Sequence, residues 1–349
     1  LLWISIPVGG RNRNSLALDP ANTTFLADTY RFDWPNEGVE VLVDRLNEAR
    51  EDLHCEMTIR TALPFPNLLR QAKFNLSSTR TRSEWVKTLS ERGLEVDWYA
   101  VIEQACTLSL RRWRDGAPLI DLSKVEPRAA DAYLLRPYII EGASSGVFGD
   151  GGTGKSLFAL TIALSVASGK PLLGPIPTRS CPVLYLDWEW DEEAHAERFQ
   201  AECCAYDLDP ARLENLIFYQ RHFASITEIA PTVRRHIAEK KIGLVIIDSL
   251  GFARGGEPES ADLTIRTFAA FRSFGVPVLF VDHIAKHATD RQHSFGSVYT
   301  RNSARLMWRM DAEEDSGNQT TKRIGLVNTK WNRRFQKPRG LLLTTETDG

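Results

Sequence analysis

Cysteine is scarce in these 349 residues, with five at Cys55, Cys106, Cys181, Cys203 and Cys204. None stands in a C-x-x-C pair, and the adjacent Cys203-Cys204 suits neither a structural zinc site nor an ordinary disulfide, so a reducing cytoplasm fits best. Long apolar runs are also missing. The longest, Leu157 to Ala167, is too short to span a bilayer and is interrupted by Thr161 and Ser165, so no membrane partner is expected. Nor is there an excess of one charge. With 43 Lys and Arg against 45 Asp and Glu, the net charge of −2 excludes a surface coated in positive charge and confines any nucleic-acid contact to a local patch. Internal repeats and low-complexity segments are absent. The chain opens Leu1-Leu2-Trp3 without Met and stops at Thr347-Asp348-Gly349, which gives the expectation of a piece of a longer protein with flanking domains.

The length favours two domains. Residues 1–134 read as a smaller α+β domain: strands over Leu2–Val8, Thr24–Asp33 and Cys55–Arg60, an amphipathic helix over Val39–Leu53, and, after the breaker Pro64-Phe65-Pro66, helices over Thr81–Arg92 and Trp98–Trp113. The second of these ends in Arg111-Arg112-Trp113-Arg114, read as cations complementing the helix dipole with Trp113 packed inward. No motif assigns that domain a role. Irregular text with Gly116, Pro118 and Pro127 places the boundary near residue 134. From 135 to 349 strands and helices alternate, the pattern of a mainly parallel sheet with helices on both faces.

That second domain is organised around Gly149-Asp150-Gly151-Gly152-Thr153-Gly154-Lys155-Ser156, a full G-x-x-x-x-G-K-[ST] match between apolar Val147-Phe148 and the helical run from Leu157. Glycines admit left-handed backbone, so that successive N–H groups converge on a phosphate at the positive end of a helix. Lys155 aims a charge at the terminal phosphates, and the Ser156 hydroxyl can ligate Mg²⁺. Residues 149–157 are therefore the candidate nucleotide site, with ATP and Mg²⁺ as its ligands.

Three apolar strands end in polar residues at the place where open α/β sheets bind ligands. Pro182 to Asp187 runs into Trp188-Glu189, Ile242 to Ile247 into Asp248-Ser249, and Val276 to Val281 into Asp282-His283. Asp248 is the expected Walker-B acid, holding Mg²⁺ directly or through water. The residue after it is Ser249, whereas proteins of the AAA+ class usually carry their catalytic base there. Glu189, expected on a strand close to the P-loop strand, is the replacement candidate, with Asp187, Glu192 and Glu193 as competitors.

On these residues the sequence resembles the RecA-like P-loop ATPases, and within them the RepA/DnaB group of hexameric replicative helicases. The resemblance covers roughly 135–345. It implies that Glu189 orients the attacking water and that His283 senses the γ-phosphate. Asn328-Thr329-Lys330-Trp331-Asn332 resembles the finger segment between late strands, where a cation enters the neighbouring subunit's site. Lys330 leads there, with Arg333 and Arg334 behind it, in a stretch from Ser316 to Thr345 with seven basic residues and no acid. The segment Lys286–Ser297 matches the second DNA-binding loop, and its Lys286, Arg291 and His293 can meet phosphates. A flexible surface loop accounts for the same composition. No zinc ribbon, DnaB-type N-terminal helical domain or primase motif is found. The implied protein is a cytoplasmic Mg²⁺-dependent ATPase that self-assembles, as a hexameric ring, and translocates on single-stranded DNA for replication, with flanking replication domains or proteins as further partners. A RecA-like regulatory or assembly ATPase acting on proteins, and a recombination filament protein, are the alternatives.

Overall fold

Residues 39–53 form an antiparallel strand pair, not the amphipathic helix that their apolar spacing suggests. Val39, Val41 and Val43 alternate on one face with period two, and β-branched side chains favour that pleat. Positive φ at Arg50 (52°) and Glu51 (69°) then turns the chain back. The computed structural model describes residues 22–61, 67–126, 132–174, 177–257, 259–284, 298–313, 321–331 and 341–346. The strand expected over Leu2–Val8 and the breaker at 64–66 lie outside them.

The chain divides into two compact units, 1–120 and 121–349. In the first, β1 (Asn22–Leu26), β2 (Thr29–Trp34), β3 (Val39–Ala49), β4 (Asp52–Thr61) and β5 (Asn67–Asn75) form an antiparallel sheet in sequential order. The single strand expected over Thr24–Asp33 is thus a hairpin, turned where Ala27 takes φ 51°. Two helices follow, α1 (Thr79–Ser90), capped by the Ser78 hydroxyl, and α2 (Trp98–Asp115), capped by the Asp97 carboxylate. Trp85, Leu89, Trp98, Val101 and Ile102 bury against Tyr30, Phe32, Trp34, Met57 and Ile59. Trp113 lies against that core and donates to Glu48 (3.2 Å), while Arg112 donates to the Gly116 carbonyl (2.7 Å).

The second unit holds a short pair, β6 (Tyr133–Leu135) and β7 (Ile139–Ile140), and the elements of the large sheet. These are β8 (Ser144–Gly149), α3 (Lys155–Ser168), β9 (Val183–Asp187), α4 (Glu192–Ala205), β10 (Ile217–Arg221), α5 (Ile226–Lys240), β11 (Leu244–Asp248), α6 (Leu250–Arg254), α7 (Ala261–Ser273), β12 (Val278–His283), α8 (Val298–Ser303), β13 (Leu306–Glu313), β14 (Thr321–Trp331) and β15 (Leu341–Glu346). The strand order is β10-β9-β11-β12-β8-β13-β14-β15. Strands β10 through β13 pair in parallel, and β14 and β15 add antiparallel.

Both faces of the parallel part are covered, which is why its strands read as near-continuous apolar runs. Val183, Tyr185, Leu244, Ile246, Leu279 and Val281 join the core around α3, whose residues from Phe158 to Ala167 are all buried. On the opposite face Phe280 meets Phe268 and Phe271 of α7, at ring separations of 5.6 and 6.2 Å. Two expectations are corrected here. β9 is not next to the P-loop strand, since β11 and β12 stand between them. Asn328 to Trp331 are the end of β14 and not a linker between strands, because they pair with Leu306–Trp308 of β13 across a bulge.

Candidate active site

The turn from β8 into α3 is built by glycine where no other residue fits. Gly154 caps α3 with φ 86°, and a Cβ on Gly149 would stand 2.3 Å from the Met310 carbonyl oxygen of β13. By contrast, the space beside Gly151 and Gly152 is open. Thr153 steadies the loop by donating to the Asp150 carbonyl (2.9 Å). Lys155 is buried, its ammonium donating to the carbonyls of Gly149 (3.0 Å) and Asp150 (2.6 Å). Burial lowers its pKa, and the nearby carboxylates of Asp248, Glu189, Asp150 and Asp282 oppose that shift. Leu157 follows in the first turn of α3, half-buried.

At the tip of β11, Asp248 is almost fully buried and accepts from the Tyr185 hydroxyl (2.6 Å) and from Ser156. Burial raises its pKa, against the hydrogen bonds from Tyr185 and Ser156. Ser156 and Asp248 thus come together as one hydroxyl and one carboxylate. Hard oxygen donors of this kind fit Mg²⁺, which takes few protein ligands and completes its shell with phosphate and water. Among the described residues no group of three or more His, Cys, Asp or Glu could hold a metal by itself.

Glu189 lies two residues beyond the end of β9, in a bend. The bend doubles over the β11 tip, with the Trp188 amide donating to the Asp248 carbonyl (2.8 Å). This carries the Glu189 carboxylate, from a strand separated from the P-loop strand by two others, to the Ser249 hydroxyl (2.5 Å) and to His283 Nε2 (3.3 Å). The His283 hydrogen bond pulls its pKa down, burial opposes, and Ser249 adds to the lowering, so the carboxyl is held ionised. Ser249, noted in the sequence only for not being Glu, is a partner of the candidate base. The competitors are placed elsewhere. Asp187 is wholly buried with both oxygens engaged, and Glu192 and Glu193 are exposed in the first turn of α4.

His283 ends β12 with its side chain 40% exposed. Its amide donates to Asp282 (2.9 Å), a buried carboxyl that burial pushes up to about 7 against the opposing charge of Arg254. Arg254, at the end of α6 and buried, donates to Thr300 of α8 (3.0 Å). Arg254 and Thr300 had no signal in the sequence, being polar residues that meet only through the fold. Beside them Ser249, Phe252, Gly256, Asp282 and His283 line a cavity of about 420 Å³.

Lys330, half-buried at the end of β14, donates to the carbonyls of Arg301 and Asn302 (3.1 Å to the latter). Burial lowers its pKa, as do Arg305 and Arg301. Lys286, Arg291, His293, Arg333 and Arg334 lie outside the described residues. The cysteines are free, all buried except Cys204, and among the described residues no helix is long and apolar enough to cross a membrane.

A glycine turn at a helix start, with a hydroxyl, an acid and a lysine converging on it, defines a P-loop ATPase-like site. The family model described as AAA domain matches residues 115–289, half of the chain, and spans the P-loop and the tips of β9, β11 and β12. The chain belongs to the AAA domain family, and it is an ATPase of the P-loop class. No curated protein matches it.

Proposed function

We propose that this chain is a cytoplasmic, Mg²⁺-dependent RecA-like motor of the RepA/DnaB kind, which assembles as a hexameric ring and couples ATP hydrolysis to movement along single-stranded DNA. The observation that carries this reading is the contact between Glu189 and His283. The carboxylate that would orient the attacking water touches the residue ending β12, and the chain leaves β12 directly into the basic segment 286–293. A change at the γ-phosphate therefore has a short covalent route to that basic segment.

In this scheme the P-loop amides and Lys155 bind the phosphates, Ser156 and Asp248 hold Mg²⁺, and Glu189, fixed by Ser249, accepts the proton of water. Mg²⁺, when bound, neutralises charge shared by the β- and γ-phosphates. Lys330, with Arg333 as its alternate, serves the adjacent subunit's site as the finger. The ring, the replication role and any flanking replication domains belong to this proposal.

The test is a double substitution, Lys286→Ala with Arg291→Ala. Losing two phosphate contacts per subunit should weaken single-stranded DNA binding and flatten its dependence on salt, since fewer counterions are released. Basal hydrolysis should persist, because none of the nucleotide-site groups is altered. DNA binding equal to the parent's at every salt concentration would remove the loop from the DNA site. Failure of the parent to bind DNA at all would favour an ATPase acting on protein partners.

A further inference from the structure

Glu189 is held by a bend, not by a strand, and the bend is fixed from behind by one carboxylate. Asp187 Oδ1 accepts the amide of Glu189 (2.7 Å) and that of Trp190 (3.3 Å). Its Oδ2 lies 2.6 Å from His195 Nε2 and 3.2 Å from the Tyr219 hydroxyl, which also reaches the Trp190 carbonyl (2.9 Å). The His195 ring is packed between Tyr185 and Tyr219, each 4.8 Å away, and Asp187 and His195 are 0% and 6% exposed. Burial alone would raise the Asp187 carboxyl. The His195 imidazole beside it and the amides of Glu189 and Trp190 outweigh it and hold the group below its usual value. A buried anion is thus kept in place by side chains of α4 and β10 on one side and by the amide of the candidate base on the other.

We propose that His195 and Tyr219 are positioning residues for Glu189: by gripping Asp187 they fix the bend 188–190 that sets the Glu189 carboxylate against Ser249 and His283. The proposal rests on the reading of Glu189 as the base. A cavity of about 180 Å³, lined by His195, Phe199, Leu213, Ile217 and Tyr219, lies on the far side of the clamp. His195 and Tyr219 border open space there rather than close-packed side chains on every side, so packing alone does not hold the bend.

The experiment uses the full chain and measures kcat, KM for ATP, nucleotide affinity with a fluorescent ATP analogue, and thermal melting. His195→Ala should lower kcat roughly ten- to a hundredfold, with KM and affinity within about threefold of the parent, since the P-loop is untouched. His195→Asn, whose amide can donate to Asp187, should recover part of that loss. Tyr219→Phe should lower kcat by a smaller factor in the same direction. The deciding readout is a cycle with Glu189→Gln. Once the base is gone, His195→Ala should cost no further single-turnover rate, because its whole effect passes through Glu189. Equal losses in both backgrounds, a loss confined to KM, or full activity in His195→Ala would each overturn the proposal. Where His195→Ala fails to fold, Tyr219→Phe, which removes one oxygen, carries the same cycle. If Glu189→Gln itself keeps the parent's turnover, the base assignment and this proposal fall together. If turnover needs Glu189 but ignores His195 and Tyr219, only the positioning fails.

Discussion

Replacing Lys155 by Ala is expected to cut ATP turnover by at least about a hundredfold, through loss of a buried cation that no neighbouring side chain can supply. The ammonium is fixed by the Gly149 and Asp150 carbonyls and sits among four carboxylates that favour its charged form. Without it the phosphates would face the carboxylates of Asp248, Glu189 and Asp282 with no ammonium to offset them. Nucleotide binding and hydrolysis should therefore both suffer. Steady-state phosphate release and a binding titration check this, with thermal melting to show that the variant is folded. Parent-like turnover would remove Lys155 from the site.

Substitution of Glu189 by Gln should have a different signature. Size and hydrogen bonding to Ser249 are kept while the proton acceptor is removed, so ATP should still bind yet turn over about a hundred- to ten-thousandfold more slowly. Glu192→Gln, on an exposed turn of α4, should behave as the parent. Bound nucleotide recovered after a chase reports the difference: ATP from Glu189→Gln, ADP from the parent. The reverse pattern, with Glu192→Gln trapping ATP, would move the base to α4.

The P-loop was legible because its chemistry is local. Eight consecutive residues fix the turn, the anion site and the helix start, and Gly154 and Lys155 stand where the pattern places them. The β11 and β12 tips were legible for a related reason, since strands buried on both faces are written as unbroken apolar runs. Period-two alternation was harder to read. Val39, Val41 and Val43 are separated by Leu42 and by residues that also suit a helix, and the strand appears only when β2 and β4 pair on either side. β10, with half-buried Ile217 to Gln220, and β5, with mixed polar residues, were missed because edge strands carry weak patterns. Tertiary partners such as Asp187 with His195 and Tyr219, or Arg254 with Thr300, leave no spacing in the chain to detect.

The proposed coupling between the strand tips and DNA is tested most directly by phosphate release from Mg-ATP as single-stranded DNA is titrated into the protein. The rate should rise and saturate with DNA, and should lose this response when Lys286 and Arg291 are replaced by Ala. A rate that stays flat across the titration, in a preparation that hydrolyses ATP and needs Glu189 to do so, would contradict that coupling.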